Sequence, residues 1–267
     1  MTIFFLFLLA LTFGSVSTLF WVPEDDMGRG YFQMNALIVL GLLALAVAVL
    51  VLHPFQPFGA SARAGAIAIG VAFLGAFLYY MAIWRHSWRR ARAAAGLTLA
   101  ASGAALLLAT PTLSAVAPAL PHRLLLTGGA VFSSALLLGW SLITMLLGHW
   151  YLVSPRLTFR HLVIFSWVLM AVIGVRLLAV GAGLRAAAVS DAGYWPLLTG
   201  ITGQGMFFWF RVLWGLAIPL TLGILSLHCA RQRSNQSSTG ILYVVVVGTF
   251  IGELTAYYLI VTTGVPV

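Results

Sequence analysis

The stretch at residues 124–153, LLLTGGAVFSSALLLGWSLITMLLGHWYLV, decides the fold class of this protein. It contains no Asp, Glu, Lys or Arg, and its one ionisable side chain near neutral pH is His149, close to the end. A helix that crosses the hydrocarbon core of a bilayer needs about 20 predominantly apolar residues. The stretch therefore predicts a transmembrane helix.

The rest of the chain has the same character. Of its 267 residues, 62% are hydrophobic and 7% are charged, whereas roughly a quarter are charged in ordinary soluble domains. We therefore expect an all-α, polytopic membrane bundle that contacts the lipid bilayer, with residues 1–267 forming a single transmembrane domain. Eight spans are predicted, near 2–22, 34–53, 64–84, 95–118, 124–153, 161–182, 205–229 and 239–263. The first has neither a basic n-region nor a small-residue cleavage site, and this favours a retained helix over a signal peptide.

The arginines predict the topology. Eight spans place both termini on one side, and all fourteen basic residues are arginines. The loops 1–2, 3–4, 5–6 and 7–8 contain Arg29, Arg85, Arg89, Arg90, Arg92, Arg156, Arg160, Arg231 and Arg233. The opposite loops contain only Arg63, Arg123 and Arg185. Because positive residues favour the cytoplasmic side, we expect both termini on the outer, periplasmic side of a bacterial-type inner (plasma) membrane. Arginines in such short loops are typical of topology signals and lipid-headgroup contacts rather than nucleic-acid binding.

Three charged residues, Arg176, Arg211 and Glu253, fall inside predicted spans. Such groups are rare, and they face protein or water rather than lipid. A rise of about 1.5 Å per residue places all three roughly 20 Å from the cytoplasmic side, in one layer. Two arginines and one glutamate leave a surplus positive charge. It could be balanced by a heme propionate, a quinone oxygen, a substrate carboxylate or phosphate, or a lipid headgroup. The alternative is that one arginine pairs with Glu253 and the other extends outward.

The last predicted span supports a packed site around the glutamate. Gly248 and Gly252 form a GxxxG motif, which allows a neighbouring backbone to approach closely. Thr249 and Tyr257 lie one helical turn before and after Glu253, so one face carries two hydroxyls and a carboxylate. The candidate site residues are therefore Glu253, Arg211, Arg176 and Tyr257. In the seventh span, Pro219 removes a backbone hydrogen bond to Gly215 and predicts a kink near this layer.

Two histidines are candidate ligands for the iron of a b-type heme. His149 near the end of span 5 and His228 at the end of span 7 are both predicted on the cytoplasmic side, and axial heme ligands come from facing helices at matching depth. His161 is a second choice of partner for His149. The alternative is that His149, followed by Trp150 and Tyr151, belongs to an aromatic belt at the membrane surface. A histidine there is also suited to bind a quinone carbonyl or to relay protons.

The absence of several motifs narrows the function. A single cysteine, Cys229, excludes a multi-cysteine iron–sulfur or zinc site within the chain, so any iron–sulfur cluster belongs to a partner subunit. The sequence has no Walker loop, dinucleotide fingerprint, HExxH or nucleophile elbow. ATP-driven pumping and metalloprotease chemistry therefore lack support. The polar segment at residues 183–205 predicts an interfacial loop or a short lid on the outer side.

The stretch IGELTAYYL at residues 251–259, followed by TTGVP at 262–266, resembles a glycine–glutamate stretch near the end of certain membrane anchor subunits. These are the anchors of dimethyl-sulfoxide-reductase-type and polysulfide-reductase-type complexes. The resemblance covers about fifteen residues, and the count of eight spans with both termini outside also agrees. It implies a subunit that exchanges electrons and protons between quinol and a peripheral iron–sulfur protein, and only Glu253 is carried over. The arginine often present shortly after that glutamate is replaced here by TAYY.

Three hypotheses follow from the sequence. The first is a membrane subunit of an electron-transfer complex. This subunit would handle quinone, with or without a b-type heme, and would act together with other subunits. The second is a proton-coupled permease for a small anionic solute, in which the arginines bind the anion and Glu253 carries a proton. The third is a non-catalytic structural subunit of a larger membrane assembly.

Overall fold

The computed structural model describes residues 1–22, 24–53, 57–153, 160–190 and 193–267, without the side chains of Asp25 and Asp26. Within these ranges the chain is helical and has no strand. Eight helical segments are long and apolar enough to cross a membrane. The predicted all-α bundle of eight such helices is therefore confirmed, whereas the outward orientation of the termini stays a prediction. Arg156, one of the arginines used for the topology, lies outside the described residues.

The helices follow one another with short connections. They are α1 (Thr2–Leu19), α2 (Glu24–Leu52), α3 (Ala62–Trp84), α4 (Trp88–Ser114), α5 (Arg123–Val153), α6 (Arg160–Val189), the short α7 (Tyr194–Thr199), α8 (Gln204–Val212), α9 (Ile218–Arg231) and α10 (Asn235–Thr263). A π-helical segment, Leu213–Ala217, joins α8 to α9. These three elements together form the seventh span, Gln204–Arg231.

Several helices begin earlier than hydropathy alone predicts. Helices α4 and α10 each start before the apolar run, with polar turns that begin at Trp88 and Asn235. In α2 the residues from Glu24 form a separate turn, because the backbone leaves the helical conformation at Gly28, with φ 70° and ψ 162°. Hydropathy marks only the part of a helix that lies in hydrocarbon, whereas backbone hydrogen bonding continues into the headgroup region. For the same reason α6 runs to Val189, and much of the predicted loop at 183–205 is helical.

Polar contacts join the loops on the side predicted to be cytoplasmic. The Nη1 of Arg29 is hydrogen-bonded to Nε2 of His86, and Nε of Arg92 donates to Oε1 of Glu24 at 2.5 Å. Both contacts tie the start of α2 to the connection between α3 and α4. Loops 1–2 and 3–4 therefore lie at the same end of the bundle. This is expected if each helix crosses the membrane in the direction opposite to the one before it.

The bundle places small residues where helices cross and large apolar ones outside. Helices α1 and α5 touch through Gly14 and Gly139, where a Cβ on either glycine would overlap the opposite backbone. On the outside, Leu125 and Leu178 are each 76% exposed. Large apolar surfaces of this kind are unfavourable in water, so they indicate contact with a lipid bilayer.

The segment that follows α10 turns back into the protein. Gly264 ends the helix in the left-handed conformation, with φ 73°, and its N–H donates to the carbonyl of Ile260 at 2.9 Å. A Cβ at this position would overlap Ala117, so only glycine suits both the conformation and the contact. Val265 and Val267 are then completely buried. This return brings backbone at the end of the segment to the polar layer described next.

Candidate functional site

The three charged residues predicted at one depth meet inside the bundle. Arg176 from α6 binds Glu253 from α10 through two hydrogen bonds, Nε to Oε1 at 3.1 Å and Nη2 to Oε2 at 2.9 Å. Arg211 from α8 donates its Nη2 to the Oε1 of the same carboxylate at 2.8 Å. All three side chains are 0% exposed. We call Arg176, Arg211 and Glu253 the buried triad.

The triad retains a surplus positive charge. Both arginines share one carboxylate, so the expectation that a spare arginine extends outward from an Arg–Glu pair is wrong: neither guanidinium reaches the surface. An ionised group in a dry interior is costly unless it is paired and hydrogen-bonded. The arrangement is therefore suited to a further acceptor or negative charge.

The two arginines are held differently. Besides its bidentate bond, Arg176 donates Nη2 to the backbone oxygen of Val267 at 3.2 Å. Among the described residues, Arg211 has a single hydrogen bond, to Glu253. Three guanidinium nitrogens have no hydrogen-bond partner in the described part of the chain: Nη1 of Arg176, and Nε and Nη1 of Arg211. Since buried N–H groups are nearly always paired, these donors, and those of Arg211 above all, are available to a hydrogen-bond acceptor.

Hydroxyl groups on α10 and α5 lie in the neighbourhood of the carboxylate. Tyr257 and Thr249 lie one turn either side of Glu253 on α10, and Ser134 on α5 lies near both the carboxylate and the Tyr257 hydroxyl. The hydroxyl oxygens of Ser134, Thr249 and Tyr257 are buried and have no hydrogen bond of standard geometry among the described residues. Ser134 was not predicted, because a serine in an apolar span has no sequence signal that distinguishes a site from a helix contact.

Helix distortion positions Arg211. The π-helical segment Leu213–Ala217 begins two residues after it, and Pro219 follows in the first turn of α9. Proline has no N–H to offer the carbonyl four residues earlier, and the i→i+5 register of a π-segment accommodates this gap. Sequence predicted a kink here, and the structure shows a π-bulge, a feature frequent at functional sites.

Glycine packing brings the distorted segment against α10. A Cβ on Gly252 would overlap the Cα of Gly215 within the π-segment, and one on Gly248 would lie 2.9 Å from the carbonyl oxygen of Trp214. The close backbone approach predicted from the GxxxG motif is therefore present. A Cβ on Gly215 would also overlap Nη1 of Arg211, so the arginine side chain lies along this glycine contact on its way to Glu253.

The two candidate heme ligands have different neighbours. Nδ1 of His149 lies 3.0 Å from the hydroxyl of Tyr243 on α10, and Nε2 of the exposed His228 lies 3.0 Å from the amide nitrogen of Gln232. Helices α5 and α9, which carry the two histidines, each pack against α10. No group of three or more metal-ligating side chains occurs in the described ranges. Heme ligation by His149 and His228 stays a prediction, and these contacts do not add to it.

The tryptophan that follows His149 joins two helices. Trp150 donates its indole Nε1 to the carbonyl of Met27 at 3.2 Å, which joins the end of α5 to the start of α2. Its ring also packs edge-on against Tyr31, with 5.7 Å between centroids. Aromatic residues that combine ring packing with a polar tip are typical of the membrane interface.

No protein-family model matches the chain, and no curated protein matches it either. The resemblance at residues 251–259 therefore stays a prediction. The function has to be inferred from the geometry of the buried triad.

Proposed function

We propose that the protein is the quinone-handling membrane subunit of an electron-transfer complex, and that the buried triad is its quinone site. The observation that carries the proposal is the set of unpartnered guanidinium nitrogens on Arg176 and Arg211 within a completely buried cluster. Quinone carbonyl oxygens accept hydrogen bonds, which is what these donors require. A guanidinium bond to such an oxygen becomes stronger as negative charge develops on it.

The surroundings favour an apolar ligand with polar oxygens. The triad is enclosed by apolar helices, and these surroundings suit a lipid-soluble molecule better than a hydrophilic one. Reduction of a quinone to quinol adds two electrons and two protons. The charge of the two arginines favours the electron-rich state, since the three side chains of the triad carry two positive charges and one negative charge.

Proton handling is assigned to the hydroxyls and the carboxylate. Tyr257 and Ser134 lie beside Glu253, and hydroxyl groups can both donate and accept a hydrogen bond. We assign Tyr257 to hold a proton near the ligand oxygen. Glu253 is assigned to fix both arginines in position, because all three of its hydrogen bonds go to them.

Partners and location complete the proposal. The single cysteine leaves no place for an iron–sulfur cluster in the chain, so the electron donor or acceptor is a cluster on another subunit. The distribution of arginines among the loops favours a bacterial-type inner membrane. The subunit with the iron–sulfur cluster would then bind at one surface of that membrane. A heme between His149 and His228 is not needed for this assignment.

The permease hypothesis uses the same surplus charge. Two arginines beside one glutamate also suit a small anion, with Glu253 as the proton carrier. It differs from the quinone proposal because a hydrophilic solute needs aqueous access from both sides. Anion counterflow in proteoliposomes tests it directly.

Arg211→Gln is expected to lower the amount of quinone that co-purifies with the protein by roughly ten- to a hundredfold, because one charge-assisted hydrogen bond is lost. Quinone is extracted from protein purified in mild detergent and quantified by chromatography per mole of protein. Arg185→Gln is the matched control, because Arg185 is exposed near the end of α6, and it should retain the wild-type amount.

Two results would overturn the proposal. The first is wild-type quinone content in Arg211→Gln. The second is wild-type protein that neither carries quinone nor binds added quinol analogues, and counterflow of an anion in the same preparation would then assign the permease function.

A further inference from the structure

A surface groove of about 430 Å³ lies on the hairpin of α3 and α4, at the end predicted to be cytoplasmic. It is remote from the buried triad, which lies among α6, α8 and α10. Its lining includes apolar side chains of both helices, namely Leu78, Met81 and Leu97. Near the connection of the two helices it also includes the polar residues Arg85, Ser87 and Arg90.

The polar end of the groove has uncompensated positive charge. Arg85 and Arg90 are exposed, and neither has a hydrogen bond or an ion pair within the described ranges. Arg92, on the same helix, differs because it is paired with Glu24. Ser87 makes no side-chain cap bond, and the first turn of α4 contains no acidic residue. Two free guanidiniums at one groove are complementary to a phosphate.

The apolar end of the groove faces the bilayer. Leu78 is 44% exposed and Leu97 is 40% exposed, and both lie seven residues along their helices from an arginine, Arg85 and Arg90 respectively. At the helical rise this is about 10 Å. That spacing matches a molecule whose charged group lies at the headgroup level while its chains extend into the hydrocarbon.

We propose that this groove binds an anionic phospholipid of the adjacent leaflet. Its phosphate lies between Arg85 and Arg90, and an acyl chain lies along Leu78 and Leu97. Basic pockets between transmembrane helices suit such headgroups because charge and apolar contact act together. The occupant is a lipid rather than free phosphate, since most of the residues that line the groove are apolar. This inference is independent of the quinone proposal.

Native mass spectrometry of the whole protein, titrated with dioleoyl phosphatidylglycerol in mixed micelles, tests the site. The double variant Arg85→Gln, Arg90→Gln is expected to bind the lipid about 30-fold more weakly, from roughly 1 kcal/mol for each arginine near the surface. The control is Arg89→Gln, Arg233→Gln, which removes the same charge from exposed positions on the same side outside the groove. It should stay within about threefold of wild type.

The outcomes separate the alternatives. Selective weakening in the groove variant, together with preference for phosphatidylglycerol over phosphatidylcholine in the wild type, supports the site. Equal weakening in both double variants shows general charge attraction and overturns it. Displacement of the lipid by millimolar inorganic phosphate also overturns it, because the groove would then bind a free anion.

Discussion

Glu253→Gln is expected to lower the free energy of unfolding by about 3 to 5 kcal/mol, which is the cost of removing one partner from a buried charge cluster. The carboxylate accepts three hydrogen bonds from Arg176 and Arg211, and none of these side chains reaches the surface. Without its charge, two guanidiniums remain uncompensated in the bilayer-embedded core. Denaturant titration of the purified protein in detergent, followed by circular dichroism, measures the change.

Two comparison variants make this prediction specific. Glu24→Gln removes a carboxylate whose partner Arg92 is 67% exposed, and such pairs contribute at most about 1 kcal/mol. Replacing Glu253, Arg176 and Arg211 together by methionine should recover stability relative to Glu253→Gln, because no unpaired charge remains. A triple variant no more stable than the single one would show that the loss does not come from uncompensated charge.

Gly252→Ala is expected to destabilise the protein by about 2 to 3 kcal/mol, in the range of an overpacked core, and to reduce quinone retention. An added methyl group would overlap the Cα of Gly215 in the π-segment. The overlap is expected to push α10 away from the π-segment, which directly follows the helix of Arg211, and so to draw the guanidinium away from Glu253. Denaturant titration gives the stability change, and quinone extraction from the same preparation reports the site.

Gly240→Ala is the matched control for this glycine contact. It lies on the same helix, α10, and an added Cβ there meets nothing within 4 Å. Alanine is the better helix former by about 1 kcal/mol, so this variant should be as stable as the wild type or slightly more so. Equal effects of the two substitutions would contradict the role given to the Gly215–Gly252 contact.

The common depth of the three buried charges could be predicted from the sequence, because it follows from two general rules. Helical rise is constant, and a charged side chain within a span turns away from lipid. These rules placed Arg176, Arg211 and Glu253 in one layer. They do not fix the rotation of each helix about its axis, so the sharing of one carboxylate by both arginines was not predictable.

The return of the chain after α10 was also beyond sequence reasoning. Gly264 signals the end of a helix, but the hydrogen bond from Arg176 to the backbone oxygen of Val267 depends on packing against α6 and the residues after α4. The histidine pair shows the same limit. The sequence predicts a depth for His149 and for His228, whereas the packing of both their helices against α10 appears only in the fold.

Redox-induced infrared difference spectroscopy tests the quinone assignment most directly. The protein is reconstituted with a quinone that carries ¹³C at its carbonyl carbons, so that the label identifies the carbonyl bands. We predict a carbonyl band at lower frequency than for the same quinone in protein-free lipid, because an arginine N–H bond weakens the C=O bond, and we predict loss of this shift in Arg211→Gln. A carbonyl band identical in wild type, Arg211→Gln and protein-free lipid would contradict binding of quinone at the buried triad.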